Sequence, residues 1–156
     1  MQPVTDERTA RRRQPPRPDD YPHRVVHTIR FRDLDAQNHV NNAVFLTFFE
    51  GGRVPLLRGA RYGLWVEGAT YVQANLNIDY LAEIHYPGEV VIGTRVARVG
   101  TSSLVFDQAV FNEDRCAGLA QSTLVLIDRE TRKPRPFPEE IATRLRAGGG
   151  AVPEVG

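Results

Sequence analysis

Hydrophobic and polar residues alternate along much of this chain with a period of two, which is typical of β-strands. Five segments show the pattern, at about residues 24–31, 69–81, 89–98, 103–112 and 116–128. In the long second segment, a strict period of two predicts one face with Val72, Ala74, Leu76, Ile78 and Tyr80 and another with Tyr71, Gln73, Asn75, Asn77 and Asp79. The connectors between the last three segments have hairpin length, so these strands are expected to be antiparallel neighbours.

Residues 43–49 form an almost wholly apolar run, which predicts a helix from residue 42 to about 50 that is buried on most of its circumference. Pro55 is expected to kink or restart this helix before it ends near residue 60. Glu50 and Arg53 are three residues apart, a spacing at which two helical side chains can meet as a pair. A second, short helix is predicted at residues 138–145.

This order of elements predicts an α+β fold, in which an antiparallel five-stranded sheet wraps around one long central helix. Such a sheet leaves an edge strand uncovered, which favours assembly by sheet extension. A single domain is expected at residues 24–146. Residues 1–23 are rich in Arg, Pro and Asp and predict a disordered tail, and residues 147–156 a flexible one.

The composition excludes several classes of protein. A formal net charge of +1 gives no support for nucleic-acid binding, and no apolar run is long enough to span a membrane. The N-terminal arginines are not followed by the apolar stretch of a secretory signal. The only cysteine, Cys116, cannot form an internal disulfide and fits a reducing compartment. We therefore expect a cytoplasmic protein that acts on neither membranes nor nucleic acids.

A polar loop directly before the helix is the strongest candidate for chemistry, because the free N–H groups of a first helical turn can face a ligand. The loop carries Asp33, Asp35 and His39, with Asn41 and Asn42 at the helix start. From spacing alone, Asp35 either caps the turn or acts as an acid–base group. The four histidines, His23, His27, His39 and His85, lack a zinc-like spacing, so no metal site is expected.

The run RFRDLDAQNHVNNAVFLTFFEGGR resembles the motif of hotdog-fold acyl-CoA thioesterases of the 4-hydroxybenzoyl-CoA thioesterase family. Two later stretches, NIDYLAEIHYPGEV and RVARVGTSS, resemble the same family. The resemblance implies a hotdog fold and hydrolysis of an acyl-CoA to a carboxylic acid and free CoA. It implies no cofactor, since coenzyme A is part of the substrate and product.

Matched position by position, the family's catalytic carboxylate falls on Asp35, as general base or as nucleophile. The backbone N–H that polarises the thioester carbonyl falls on Asn42, and His39 is a candidate to assist. The family often has Gly where this chain has Asn38. Asn is the residue other than Gly that best tolerates left-handed backbone geometry, so the turn can form.

The substrate is expected to contact Asn41 and Phe45 near the helix start. For the phosphates of coenzyme A the sequence offers two clusters. The first consists of Arg95, Arg98, Thr101, Ser102 and Ser103, and the second of Arg129, Arg132, Lys133 and Arg135. Either cluster can instead be a solvated sheet edge.

Three questions stay open at this point. A non-catalytic acyl-CoA sensor and a hotdog hydratase or dehydratase are alternatives to the thioesterase. The acyl group is not specified by the sequence. A homodimer or a tetramer of dimers is expected, without a choice between them.

Overall fold

A computed structural model describes residues 15–156. The main elements, in chain order, are β1 His23–Thr28, α1 Asn42–Arg58, β2 Ala69–Tyr80, β3 Glu89–Val99, β4 Ser103–Asn112, β5 Arg115–Asp128 and α2 Glu139–Ala147. The five strands form one antiparallel sheet in the order β1-β3-β4-β5-β2. The predicted α+β architecture, a five-stranded sheet around one long helix, is confirmed. No helix in the described part of the chain is both long and apolar enough to cross a bilayer.

Helix α1 lies across the concave face of the sheet, and its aromatic residues provide much of the contact. Phe48 and Phe49 are almost fully buried, and Leu56 continues the buried stripe further along the helix. Gly52 is the point of closest approach, because a Cβ built there would overlap the Cγ2 methyl group of Ile92 on β3. A residue without a side chain at this position therefore sets the distance between helix and sheet.

Helix α1 continues through Pro55 to Arg58, so the predicted restart at Pro55 does not occur. Proline lacks an N–H and removes one hydrogen bond from the helix interior. The loss is tolerated here because the residues on either side of Pro55 are held by the core: Arg53, Leu56 and Leu57 are all buried.

A buried polar side chain, Gln108 of β4, connects the sheet to the helix. Its Nε2 donates to the Phe49 carbonyl at 2.8 Å and to Thr94 Oγ1 at 2.9 Å. Its Oε1 accepts from Ser122 Oγ at 3.2 Å and from Arg53 Nη1 at 3.3 Å. Both donors and both acceptor positions of the amide are thus used, which is what a buried amide requires.

Arg53 points into the sheet and does not form the expected pair with Glu50. Its guanidinium donates to Gln108 and, through Nη2, to Gln73 Oε1. Burial lowers the pKa of Arg53 from its ordinary value, and the nearby Glu50 charge opposes that shift. Glu50 itself is exposed and makes no ion pair with Arg53 within residues 15–156.

The predicted two-face pattern of β2 is wrong in its first half. The pairing of β2 with β5 shifts register between Gln73 and Asn75, as at a β-bulge. An extra residue at a bulge moves the side chains on one side of it to the opposite face of the sheet from the one that strict alternation predicts. Tyr71 packs against the core, and Gln73 bonds to Arg53, so both share the helix-facing side with Leu76.

Both predicted tails carry ordered structure close to the domain. Residues 1–14 lie outside the described part, but Tyr21 is buried and its ring packs edge-on against Phe111. At the other end, Val152 is buried and its N–H donates to His23 Nε2 at 2.8 Å. The packed structure therefore extends beyond residues 24–146 on both sides.

Two adjacent glycines of α1 allow a test of the close helix–sheet contact. Gly52→Ala is expected to lower the free energy of unfolding by about 1–3 kcal/mol, because the new methyl group overpacks against Ile92. Gly51→Ala gains the same helix propensity, but its methyl group meets only the His27 ring, which is half-buried and able to turn. Urea unfolding of both variants measures the difference. Equal free energies of unfolding for the two variants would contradict the conclusion that Gly52 sets the distance between helix and sheet.

The neutral His23 ring makes stability depend on pH. Burial lowers the pKa of His23, Glu154 opposes that shift and Arg61 adds to it. Because the unfolded chain binds more protons between the folded pKa and about 6.5, stability falls as pH is lowered through this window. His23→Gln keeps an acceptor for Val152 N–H but has no proton to bind. Between pH 7 and 5, wild type is expected to lose more stability in urea titrations than this variant.

Candidate active site

The polar loop before α1 is anchored by an ion pair between Asp33 and Arg30. Asp33 is buried, Arg30 Nη2 lies 3.0 Å from its Oδ1, and the Arg30 N–H donates to its Oδ2 at 2.8 Å. Burial raises the pKa of Asp33, but the bonds from Arg30 outweigh it and hold this pKa below its ordinary value. The Asp33 carbonyl accepts from Asn41 N–H at 2.8 Å, which closes the loop onto the helix start.

Asp35 lies within this closed loop and is partly buried. Its Oδ1 accepts from Gln37 N–H at 2.8 Å and from His39 N–H at 3.4 Å, and its own N–H donates to the His39 carbonyl at 2.9 Å. Oδ2 has no hydrogen-bond partner among residues 15–156. The turn-capping role and a chemical role are therefore compatible, because one oxygen orients the carboxylate and the other is available.

Asn38 adopts the left-handed conformation that glycine would take, with φ 61°. Its N–H donates to the Asp35 carbonyl at 3.0 Å, which keeps the turn tight. The replacement of glycine by asparagine thus preserves the turn, as expected from the sequence.

The start of α1 is capped and leaves one backbone N–H group unbonded among residues 15–156. Asn41 is the N-cap, and its Oδ1 accepts from Ala43 N–H at 2.8 Å. Asn42 N–H is not bonded to any acceptor in the described chain. Tyr80 O–H donates to the Asn42 carbonyl at 3.1 Å, so the end of β2 fixes the first helical turn. The Asn41 side chain is occupied by capping.

An open cleft of about 300 Å³ brings these groups together. Four of the residues proposed from the sequence line it together: Asp35, His39, Asn42 and Phe45. Its other wall comes from residues 80–83, where Tyr80 packs edge-on against Phe45 with ring centroids 5.1 Å apart. Phe45 is 2% exposed and serves both the core and the cleft.

The second wall is the part of the site that sequence reasoning missed. It lies in the stretch NIDYLAEIHYPGEV, which resembles the thioesterase family but contains none of the predicted site residues. The sequence does contain a signal for this wall, because two large side chains, Tyr80 and Leu81, stand at the end of a predicted strand. Both are exposed in the structure, as residues that line a binding surface often are.

His39 is directed towards the β2–β3 connection. Its Nε2 lies 3.2 Å from Glu83 Oε2, and its ring packs edge-on against His85 with centroids 4.9 Å apart. His85 Nε2 lies 3.7 Å from the same Glu83 oxygen. The contact between His39 and Asp35 runs through the backbone, and the His39 ring instead lies in the cleft wall beside Glu83 and His85.

The first predicted phosphate-binding cluster is not brought to the cleft within one chain. Arg98 and residues 101–103 lie at the far end of β3, about 30 Å from the end that adjoins the cleft. Arg95 lies on the outer face of the sheet, with Nη2 3.3 Å from Asp107 Oδ2 and its guanidinium over the Tyr21 ring.

The second cluster lies at that far end as well. Arg129 Nε donates to the Ala69 carbonyl at 3.0 Å and stacks over Trp65, and Arg135 Nη1 donates to the Glu67 carbonyl at 2.9 Å. Arg132 and Lys133 are exposed. Two of the four cations thus hold the connection after β5 against the start of β2.

Comparisons with known proteins find thioesterases among the proteins similar to this chain. Among sequence relatives, the acyl-CoA thioester hydrolase YbgC of Escherichia coli O6:H1 is 27% identical over 120 residues, which cover 74% of this chain and 90% of that protein. The long-chain acyl-CoA thioesterase FadM of Escherichia coli K12 is 26% identical over 121 residues, covering 75% and 92%. A thioesterase from Thermus thermophilus, crystallised with coenzyme A and zinc, is 37% identical with a TM-score of 0.70, covering 81% and 98%.

The hotdog architecture implied by the sequence motif is confirmed by such solved thioesterases, which share the five-stranded sheet and central helix. The sequence model that describes the thioesterase-like superfamily matches residues 29–145 of this chain. This range includes the polar loop, α1 and all strands from β2 to β5. The chain therefore belongs to the thioesterase-like superfamily.

Proposed function

We propose that this protein is an acyl-CoA thioesterase that uses the cleft between the Asp35 loop and the end of β2. The observation that supports the proposal most directly is the pairing of an available carboxylate oxygen with an unbonded helix N–H on one cleft. The relatives named as acyl-CoA thioester hydrolases, and the related structure with coenzyme A, support the choice of substrate class.

Hydrolysis requires an activated oxygen and a donor for the charge that develops on the thioester carbonyl. As general base, Asp35 takes a proton from water while the water oxygen adds to the carbonyl carbon. Asn42 N–H, at the positive end of the α1 dipole, then stabilises the oxyanion. Collapse of the tetrahedral intermediate breaks the carbon–sulfur bond, and the departing CoA thiolate takes up the proton.

Direct attack by Asp35 is the second route to the same products. Its carboxylate oxygen adds to the carbonyl carbon and expels CoA thiolate, which leaves a mixed anhydride that water hydrolyses. The availability of Oδ2 serves both routes. His39, on the cleft wall, is placed to bind the acyl carbonyl or to pass a proton to the leaving sulfur.

A second copy of the chain gives one of the distant phosphate-binding candidates a role. β2 is a twelve-residue edge strand, and most of its side chains after Val72 are exposed. Long exposed edges are templates for pairing with another strand. Antiparallel pairing of two β2 strands places the Tyr80 end of one copy beside the Ala69 end of the other. The second cationic cluster, which adjoins Ala69, then approaches the cleft of the partner, where it can bind the phosphates of coenzyme A, whereas the first cluster is separated from the β2 edge by β4 and β5.

The test of the proposed chemistry is Asp35→Asn, assayed by thiol release from a panel of acyl-CoAs. The asparagine Oδ1 still accepts from Gln37 and His39 N–H, so the loop is expected to fold normally. We expect kcat to fall by about 10²–10⁴ because the base is lost. Asp19→Asn is the matched control, since that carboxylate is exposed and far along the chain from the loop.

Equal rates for wild type and Asp35→Asn would remove Asp35 from the mechanism. Saturable binding of acyl-CoA by calorimetry, without turnover of any thioester, would instead identify a non-catalytic binding module.

The proposed assembly is tested by light scattering coupled to size exclusion. A mass of two or four times the 17.5 kDa chain is expected at micromolar concentration. A stable monomer that retains full thioesterase activity would contradict the role given to the second copy.

A further inference from the structure

We propose that His39, Glu83 and His85 form a binding site for a transition-metal dication of the Zn²⁺ type at the rim of the cleft. The three residues offer two imidazole nitrogens and one carboxylate oxygen, a donor set that suits such ions. Their ligand atoms all lie within 4.8 Å of one another.

The distances are close to those of a metal site. Two ligand atoms that each lie about 2.0–2.1 Å from a tetrahedral ion are separated by about 3.3 Å. His39 Nε2 and Glu83 Oε2 are 3.2 Å apart, and His85 Nε2 lies 3.7 Å from the same oxygen. Coordination requires the exposed His85 side chain to bring its nitrogen closer to the other two ligand atoms, which now lie within 4.8 Å of it.

Contacts within the protein do not account for both histidines. His39 Nε2 lies 3.2 Å from Glu83 Oε2 without a hydrogen bond to it among residues 15–156, and 3.7 Å is too long for a hydrogen bond from His85. His85 is 61% exposed at its side chain, so core packing does not hold it there either. Two imidazoles that converge on one carboxylate oxygen leave a position for a cation between them.

The backbone holds the two contributing loops in fixed register. Val40 N–H donates to the Ile84 carbonyl at 2.8 Å, next to His39 on one side and between Glu83 and His85 on the other. Ile84 is fully buried, which directs its two neighbours to the surface side. The Glu83 carbonyl accepts from Arg115 Nη2 at 2.9 Å. Such preorganisation reduces the ordering that metal binding requires.

Two of the three ligands, His39 and Glu83, also line the cleft. Three protein ligands leave one position of a tetrahedral ion for water or another small ligand. Sequence reasoning predicted no metal site, because 44 positions separate His39 from Glu83 and only the loop pairing brings them together.

The experiment is calorimetric titration of chelator-treated, full-length protein with Zn²⁺ at neutral pH. We expect one ion per chain, and at least a tenfold loss of affinity in both His85→Ala and Glu83→Gln. His23→Gln is the control, because this histidine lies in β1 and bonds to Val152 near the other terminus; its affinity is expected to equal that of wild type.

Absence of stoichiometric binding, or unchanged affinity in both cluster variants, would overturn the proposal. Circular dichroism verifies that each variant is folded, and two separate ligand substitutions keep the test valid if one of them is not. The titration contains no thioester, so its outcome is independent of whether the protein hydrolyses acyl-CoA.

Discussion

The close contact between α1 and the sheet at Gly52 is the constraint on which the remaining structure depends. The absence of a side chain there lets the helix approach Ile92, and this approach brings the Phe49 carbonyl within reach of Gln108. The amide in turn orients Arg53, which reaches Gln73 on the far strand. One apolar contact and one saturated polar network thus fix the helix in both distance and rotation.

The candidate site follows from that fixed helix. Its first turn can serve a ligand only if the turn keeps a constant position, and Tyr80 and the Asp33 carbonyl hold it from two directions. The loop uses short-range bonds to orient Asp35 without consuming both carboxylate oxygens. Acid–base chemistry requires a group that is held rigidly by the protein and is still open to solvent on its reactive side.

Local patterns in the sequence were sufficient for the elements, whose order fixes the fold, and for the position of the polar loop directly before the helix. They failed where a contact between residues far apart in the sequence determines the local structure. The bulge after Gln73 reverses the faces of β2, and the partner of Arg53 proved to be Gln73 and Gln108 rather than the adjacent Glu50. Tyr21 and Val152 looked like tail residues because the segments around them are polar or glycine-rich, yet both are buried. Periodicity describes neighbours along the chain and carries no information on such pairings.

The bond from Val152 to His23 has a consequence for biosynthesis. β1 leaves the ribosome before its sheet partner β3, which emerges some sixty residues later, and before Val152, which lies 129 residues after His23. Contacts of such long range form late and slow the folding of a nascent chain. Strand β1 therefore waits, with its backbone edge exposed, until β3 has been made.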